Sequence, residues 1–185
     1  MKRTFILMCL FSALLLTNCK KEETGPDFPT AGGGNTPAME SYLEYDGKKY
    51  ELPNVMVKKS EGYNSRYFTL ALVSSSVKYD SFLRSITGNG NGIQFYIHTP
   101  DSDQTLPPRS YPMIVDNTIN HYEIYSVQLF FNKNFFMLDE GIDVPEGTLT
   151  ISQKNDKMQF DFTGKDESGK SVKCKVTGKP FYYTF

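Results

Sequence analysis

Two acidic stretches hold the side chains best suited to chemistry. "PDSD" offers Asp101 and Asp103, and "LDEGIDVPEG" offers Asp139, Glu140, Asp143 and Glu146. Calcium takes roughly six to eight oxygens, which loop carboxylates and backbone carbonyls can supply, but neither stretch has the D-x-[DN]-x-[DN]-G loop register. Two carboxylates would hydrolyse a glycosidic bond if they faced each other across a cleft at ~5–9.5 Å. Spacing along the chain does not fix that separation, and solvated loop acids are the plainer reading.

The other reactive types are sparse. His98 and His121 fall in different strand-like segments, and neither has a second His or a Cys at H-x-x-x-H or C-x-x-C spacing. They read as ordinary surface histidines, so no metal site is expected. Ser74 to Ser76 lack the G-x-S-x-G elbow of a serine hydrolase. "GNGNG" at 88–92 has neither a Lys-Ser/Thr pair nor a following helix to make a phosphate loop, and reads as a mobile hairpin tip. With no catalytic constellation in view, the expectation is a protein that is not an enzyme and carries no cofactor.

Strands must position whatever these residues do. In "KMQFDFT", Met158, Phe160 and Phe162 alternate with polar residues, and in "SVKCKVT" Val172, Cys174 and Val176 do the same. Period two over such lengths marks half-buried antiparallel strands, with "DESGK" as the hairpin turn between them. "GTLTIS" adds an earlier strand, and "PFYYTF" a closing one. Asp46-Gly47 between two β-rich runs signals a type I′ hairpin. "RYFTLALVSS" sends Phe68, Leu70 and Leu72 to one face. "GIQFYIHT" sends Ile93, Phe95 and Ile97 inward and Gln94, Tyr96 and His98 outward. "HYEIYSVQLFF", apolar on both faces, reads as a central covered strand, and only "YDSFLRSI" suggests a short helix. The fold class is therefore all-β, an antiparallel two-sheet β-sandwich, with an open or closed β-barrel as the alternative.

The N-terminus bears on location. Lys2 and Arg3 precede an uncharged run from Phe5 to Leu16. That run is too short to span a hydrocarbon core of ~30 Å at ~1.5 Å per residue, and reads as a secretory signal. "LTNC" resembles the lipobox of bacterial lipoproteins, matching at Leu16 and Cys19 and departing at Asn18, where small residues are usual. The resemblance implies that residues 1–18 are removed and that Cys19 becomes the lipidated N-terminus. The implied partner is a membrane, held through acyl chains whose buried methylenes contribute ~0.8 kcal/mol each. "KKEE" at 20–23 resembles the export signal of surface lipoproteins, so the anchored protein faces either the cell surface or the periplasm. Residues 19–38 then form the lipidated cysteine and a Gly-, Pro- and charge-rich tether, which reaches roughly 65 Å when extended. Residues 39–185 form the single β-domain.

Of the three cysteines, Cys9 leaves with the signal and Cys19 takes lipid, leaving Cys174 unpaired on the apolar face of its strand. The chain carries 20 basic and 21 acidic side chains, a balance without the basic footprint of a nucleic-acid binder. It has 12 Tyr, 14 Phe and no Trp. Alternation commits the phenylalanines to the core, whereas Tyr63, Tyr67, Tyr96 and Tyr122 are placed to face outward and stack on a ligand or to half-bury in the sheets.

"LEYDGKKYEL", "LPPRSYPM" and "VPEGTLTISQKNDKMQFDFTGKDESGKSVKCKVTG" together resemble small, uncharacterised Bacteroidetes outer-membrane lipoproteins with a C-terminal β-sandwich. Leu106, Pro107 and Tyr111 fit their L-P-x-G-x-Y turn, with Arg109 in place of the glycine, and Gly147 to Ile151 fit their G-T-[LIV]-T-I run. That family has no established active site to carry over. The expected function is a non-enzymatic binding or interaction module of the cell envelope, its ligand a glycan or a protein. The alternatives are a structural subunit of a surface assembly or a small glycan- or peptide-acting hydrolase. The longest irregular stretch, "TPDSDQTLPPRSYP", supplies the candidate binding residues Asp103, Arg109 and Tyr111, with prolines limiting the entropy lost on binding. The family turn implies instead that Tyr111 packs inward.

Overall fold

The structure is a computed structural model that describes residues 41–62, 65–114, 120–136 and 141–184. The signal segment, Cys19, the tether, Tyr63, Asp139 and Glu140 lie outside the described residues.

Strand β1 (Tyr42–Tyr45) turns into β2 (Lys48–Glu51) through Asp46 and Gly47, at φ 51° and 73°. Two consecutive left-handed residues are what a type I′ turn requires, and Asp and Gly tolerate that region best. The expected C-terminal hairpins form as well. β11 (Glu146–Lys154), β12 (Lys157–Lys165) and β13 (Ser171–Gly178) pair antiparallel, with Leu149 opposite Phe162 and Phe162 opposite Cys174. With β8 (Ser110–Pro112) at one edge they complete the sheet β2-β1-β13-β12-β11-β8.

The second sheet contains β3 (Asn54–Gly62), β4 (Ser65–Val73), β7 (Asn89–Thr99), β9 (Glu123–Asn134), β10 (Ile142–Asp143) and β14 (Phe181–Tyr183), in the order β10-β9-β7-β4-β3-β14. Neither sheet closes on itself, which favours the sandwich over the barrel. Phe160, Phe162 and Val176 from one inner face meet Phe68, Leu70 and Phe95 from the other, all essentially inaccessible to water. Phe95 and Phe162 cross edge to face at 5.1 Å, the arrangement that aligns a ring's positive edge with its partner's negative face. Cys174 is buried among these residues, and burial pushes its thiol well above the ordinary range. Among the described residues no helix is long and apolar enough to cross a membrane.

Four local expectations are corrected. "YDSFLRSI" is no helix: β5 (Lys78–Asp80) and β6 (Ser85–Thr87) form a separate two-stranded hairpin in which Tyr79 pairs with Ile86, Ile86 is buried and Tyr79 lies half-buried. "GNGNG" is the end of one turn and the start of β7 rather than a free tip. A Cβ on Gly92 would lie 2.8 Å from Phe135 Cζ, so the missing side chain lets Phe135 fold back over the strand. β14 runs parallel to β3, with Phe181 opposite Met56, breaking an otherwise antiparallel pattern. "HYEIYSVQLFF" lies one strand from the edge. Tyr96 pairs with Ser126 but Ile97 with Ile124, leaving Tyr125 as an extra, bulged residue that is 61% exposed. The bulge resets the alternation, so Ile124 and Val127 both reach the core. Farther along, Leu129 joins the core while Phe130, its neighbour on the other face, is buried against Phe135, so this part of the strand is apolar on both faces as expected.

Candidate functional site

The loop from Pro100 to Arg109 leaves the second sheet after β7 and enters the first at β8. It is tied at every few residues. Arg66 begins the inner face of β4, in line with Phe68 and Leu70, and donates from Nη1 to the carbonyl of Asp103. Lys59 Nζ donates to Gln104 Oε1 at 2.6 Å, and the Leu106 amide donates to Tyr182 Oη at 3.3 Å. The Ile151 amide donates to the carbonyl of Arg109 at 2.8 Å. This loop is a fastened crossover that closes one end of the sandwich.

Tyr111 is its anchor. The ring is fully buried, and its hydroxyl donates to the Pro107 carbonyl at 2.7 Å, four residues upstream. The arrangement follows the logic of a tyrosine corner. Burial, opposed by Arg109 and reinforced by Asp103 and Tyr122, pushes the Tyr111 hydroxyl far above its ordinary value. Of the three residues expected to bind together, Tyr111 thus packs inward, as the turn's resemblance implied, with its ring closed to solvent. Asp103 is partly buried, and its Oδ2 is shut from water without a hydrogen-bond donor among the described residues. Arg109 is exposed, its guanidinium carbon 3.4 Å from the centre of the Tyr122 ring.

Tyr122 in turn approaches Tyr111 at 6.4 Å and holds φ at 67°, a region few non-glycine residues occupy. Its amide donates to the His98 carbonyl at 2.7 Å, which clamps the chain reversal onto the end of β7. The same reversal lays His121 over His98, ring centres 4.9 Å apart and nearly parallel. His98 is buried, contrary to the surface position expected of it, because Tyr67 packs on its other neighbour strand at 5.1 Å and the Asn120 carbonyl lies 3.1 Å from Nδ1. Glu123, paired with His98 across the strands, accepts from the Asn120 amide and side chain. One end of the second sheet therefore gathers Tyr67, His98 and His121 beside Arg109 and Tyr122.

The acids stay apart. Asp143 sits in β10 and accepts from Gln128, whereas Glu146 pairs with Lys165 at 3.3 Å at the start of β11. Among the described residues no three His, Cys, Asp or Glu side chains come together as a metal-binding group. The described geometry offers stacking surfaces and hydrogen-bond donors. Sequence reasoning missed the histidine stack, since the register that brings residue 98 beside 123 is a long-range property. Arg66 was findable: period two placed it on the apolar face with Phe68 and Leu70, where a guanidinium requires a partner.

No family model matches the chain, and no curated protein or solved structure does.

Proposed function

We propose that this chain is a lipid-anchored outer-membrane lipoprotein whose β-sandwich is a non-enzymatic binding module of the cell envelope. The anchor reading rests on the hydrophobic run ending in Leu16 to Cys19 and on the tether after it. The binding reading rests on one observation: two planar, donor-bearing groups are already held in place at one strand end, Arg109 on Tyr122 and His121 on His98. Stacking restrains the guanidinium and the imidazole before any ligand arrives, which lowers the ordering cost of binding. Their free edges suit an acceptor-rich partner, such as the hydroxyls and carboxylates of a glycan or the backbone carbonyls of a protein segment.

The test is a screen of glycans and envelope proteins against wild type and an Arg109→Ala, His121→Ala double variant. The expected result is loss of the captured ligand with the melting temperature nearly preserved, as both side chains are exposed. Equal capture by a folded double variant would move the site elsewhere. For the anchor, metabolic labelling with a clickable fatty acid is expected to tag wild type and not Cys19→Ala; equal labelling would remove it.

A further inference from the structure

The β5–β6 hairpin belongs to neither main sheet, yet it is firmly seated. At its base the Asn54 side-chain amide donates to the Val77 carbonyl at 3.1 Å, and Val77 is fully buried. Further out, Tyr79 lies against Phe181 and Tyr183 of the edge strand β14, at 5.1 and 5.0 Å between ring centres. Beyond Tyr79 the tip turns sharply. Asp80 Oδ1 accepts from the amides of both Phe82 and Leu83 at 2.9 Å, and Arg84 takes φ of 49°. The turn holds Phe82 91% exposed, the most exposed large apolar side chain among the described residues, with Leu83 beside it at 43%. Lys78 and Arg84 flank the pair and are themselves exposed, while the carboxylate of Asp80 is spent on the turn.

Resting on the anchor at Cys19, we infer that this tip is a membrane-contact finger that places Phe82 and Leu83 in the interfacial layer of the bilayer. The size of the feature selects that occupant. A specific protein interface buries ~800 Å² on each side, far more than two adjacent side chains offer. An apolar pair rimmed by cations fits the headgroup–acyl boundary, entered to ~5–10 Å, with Lys78 and Arg84 at anionic headgroups. Alone such a finger binds weakly. On a chain already tethered to the same surface the contact is intramolecular, and effective concentration makes a weak contact sufficient.

The chain has no tryptophan, so Phe82→Trp introduces a single reporter. The full-length protein, purified from membranes, is reconstituted into phosphatidylethanolamine–phosphatidylglycerol vesicles containing brominated acyl chains. The expected result is co-flotation with the vesicles, a blue-shifted emission and loss of emission to the bromine. Tyr125→Trp, on β9 towards the sheet edge away from β14, is expected to keep solvent-like, unquenched emission. Flotation with solvent-like emission from Phe82→Trp would overturn the finger and leave the anchor standing. Failure to float would overturn both. A blue shift that grows with protein concentration in the absence of vesicles would seat the tip on a second copy and overturn the bilayer as its occupant.

Discussion

Tyr111→Phe removes one oxygen from the residue on which the Pro100–Arg109 crossover depends. Phenylalanine keeps the ring and its packing, so the change isolates the 2.7 Å hydrogen bond to the Pro107 carbonyl. A buried neutral hydrogen bond contributes about 0.5–1.5 kcal/mol net, with the upper end fitting a fully buried donor. At this chain length each kcal/mol moves the melting temperature by roughly 2–4 °C, so the variant is expected to melt about 3–6 °C below wild type. Arg109→Ala is expected to cost less, about 0.5–1 kcal/mol, because the guanidinium on Tyr122 remains exposed to solvent. Differential scanning calorimetry of both variants, run beside the ligand screen, separates the two roles. Tyr111→Phe should lower stability and spare binding, and Arg109→Ala should remove binding at a smaller cost in stability. A Tyr111→Phe protein melting within about 1 °C of wild type would refute the crossover as a hydrogen-bonded anchor. Loss of binding without loss of stability would refute the structural role assigned to Tyr111.

The Tyr45 hydroxyl donates to Asp166 Oδ2 at 2.7 Å; this bond, with those from Ser168 and Lys170, holds the carboxyl at about 2, and the same bond together with burial raises Tyr45 to about 12. Because the folded Asp166 value is depressed, its stabilisation is present above the unfolded value near 3.8 and is lost as pH falls toward 2; because that of Tyr45 is raised, its share is present below 10 and is lost as pH rises toward 12. Tyr45→Phe is therefore expected to flatten both limbs of a stability–pH profile, and an unchanged profile would contradict the pair. Gly92→Ala is expected to cost about 1–3 kcal/mol by overpacking, since its Cβ meets Phe135 and Val73 below 3.0 Å; urea denaturation reads this, and a neutral result would mean Phe135 can step aside. Cys174 is expected to resist a thiol reagent until the protein is denatured, given its burial and raised thiol value, and native-state labelling at the rate of a free thiol would show an open core.

Alternation made the two sheets legible wherever one face was buried and the other wet. Phe160, Phe162 and Val176, and on the other sheet Phe68, Leu70 and Phe95, all fell on the side that period two required. It failed where neighbouring side chains cover outward-facing positions. Gln94 and His98 alternate outward, yet both are buried, Gln94 with its amide bonded to the Tyr96 hydroxyl and His98 between its aromatic neighbours. The β5–β6 hairpin was misread for a related reason, as four residues of turn between three-residue strands carry too little pattern to distinguish them from a helical turn. Within the candidate site, Arg109 lies exposed at the end of its loop. Its stacking partner Tyr122 was noted only as an outward tyrosine, because the chain reversal that joins them is set by a backbone bond to His98.

Both ends of the described chain are claimed by strands from the opposite end. β1 lies beside β13, with Leu43 opposite Cys174, and β14 lies beside β3, with Tyr182 opposite Val57. Each sheet thus contains a pairing that spans nearly the whole domain, and neither pairing forms until the last strands are free. Such long-range contacts place a protein among the slower folders, since loop-closure entropy must be overcome before the contacts form. The same connectivity keeps an emerging polypeptide open until its last strands are available to pair. A ribosome that stops short of β14 would leave an edge of β3 bare, an invitation to pair with another chain.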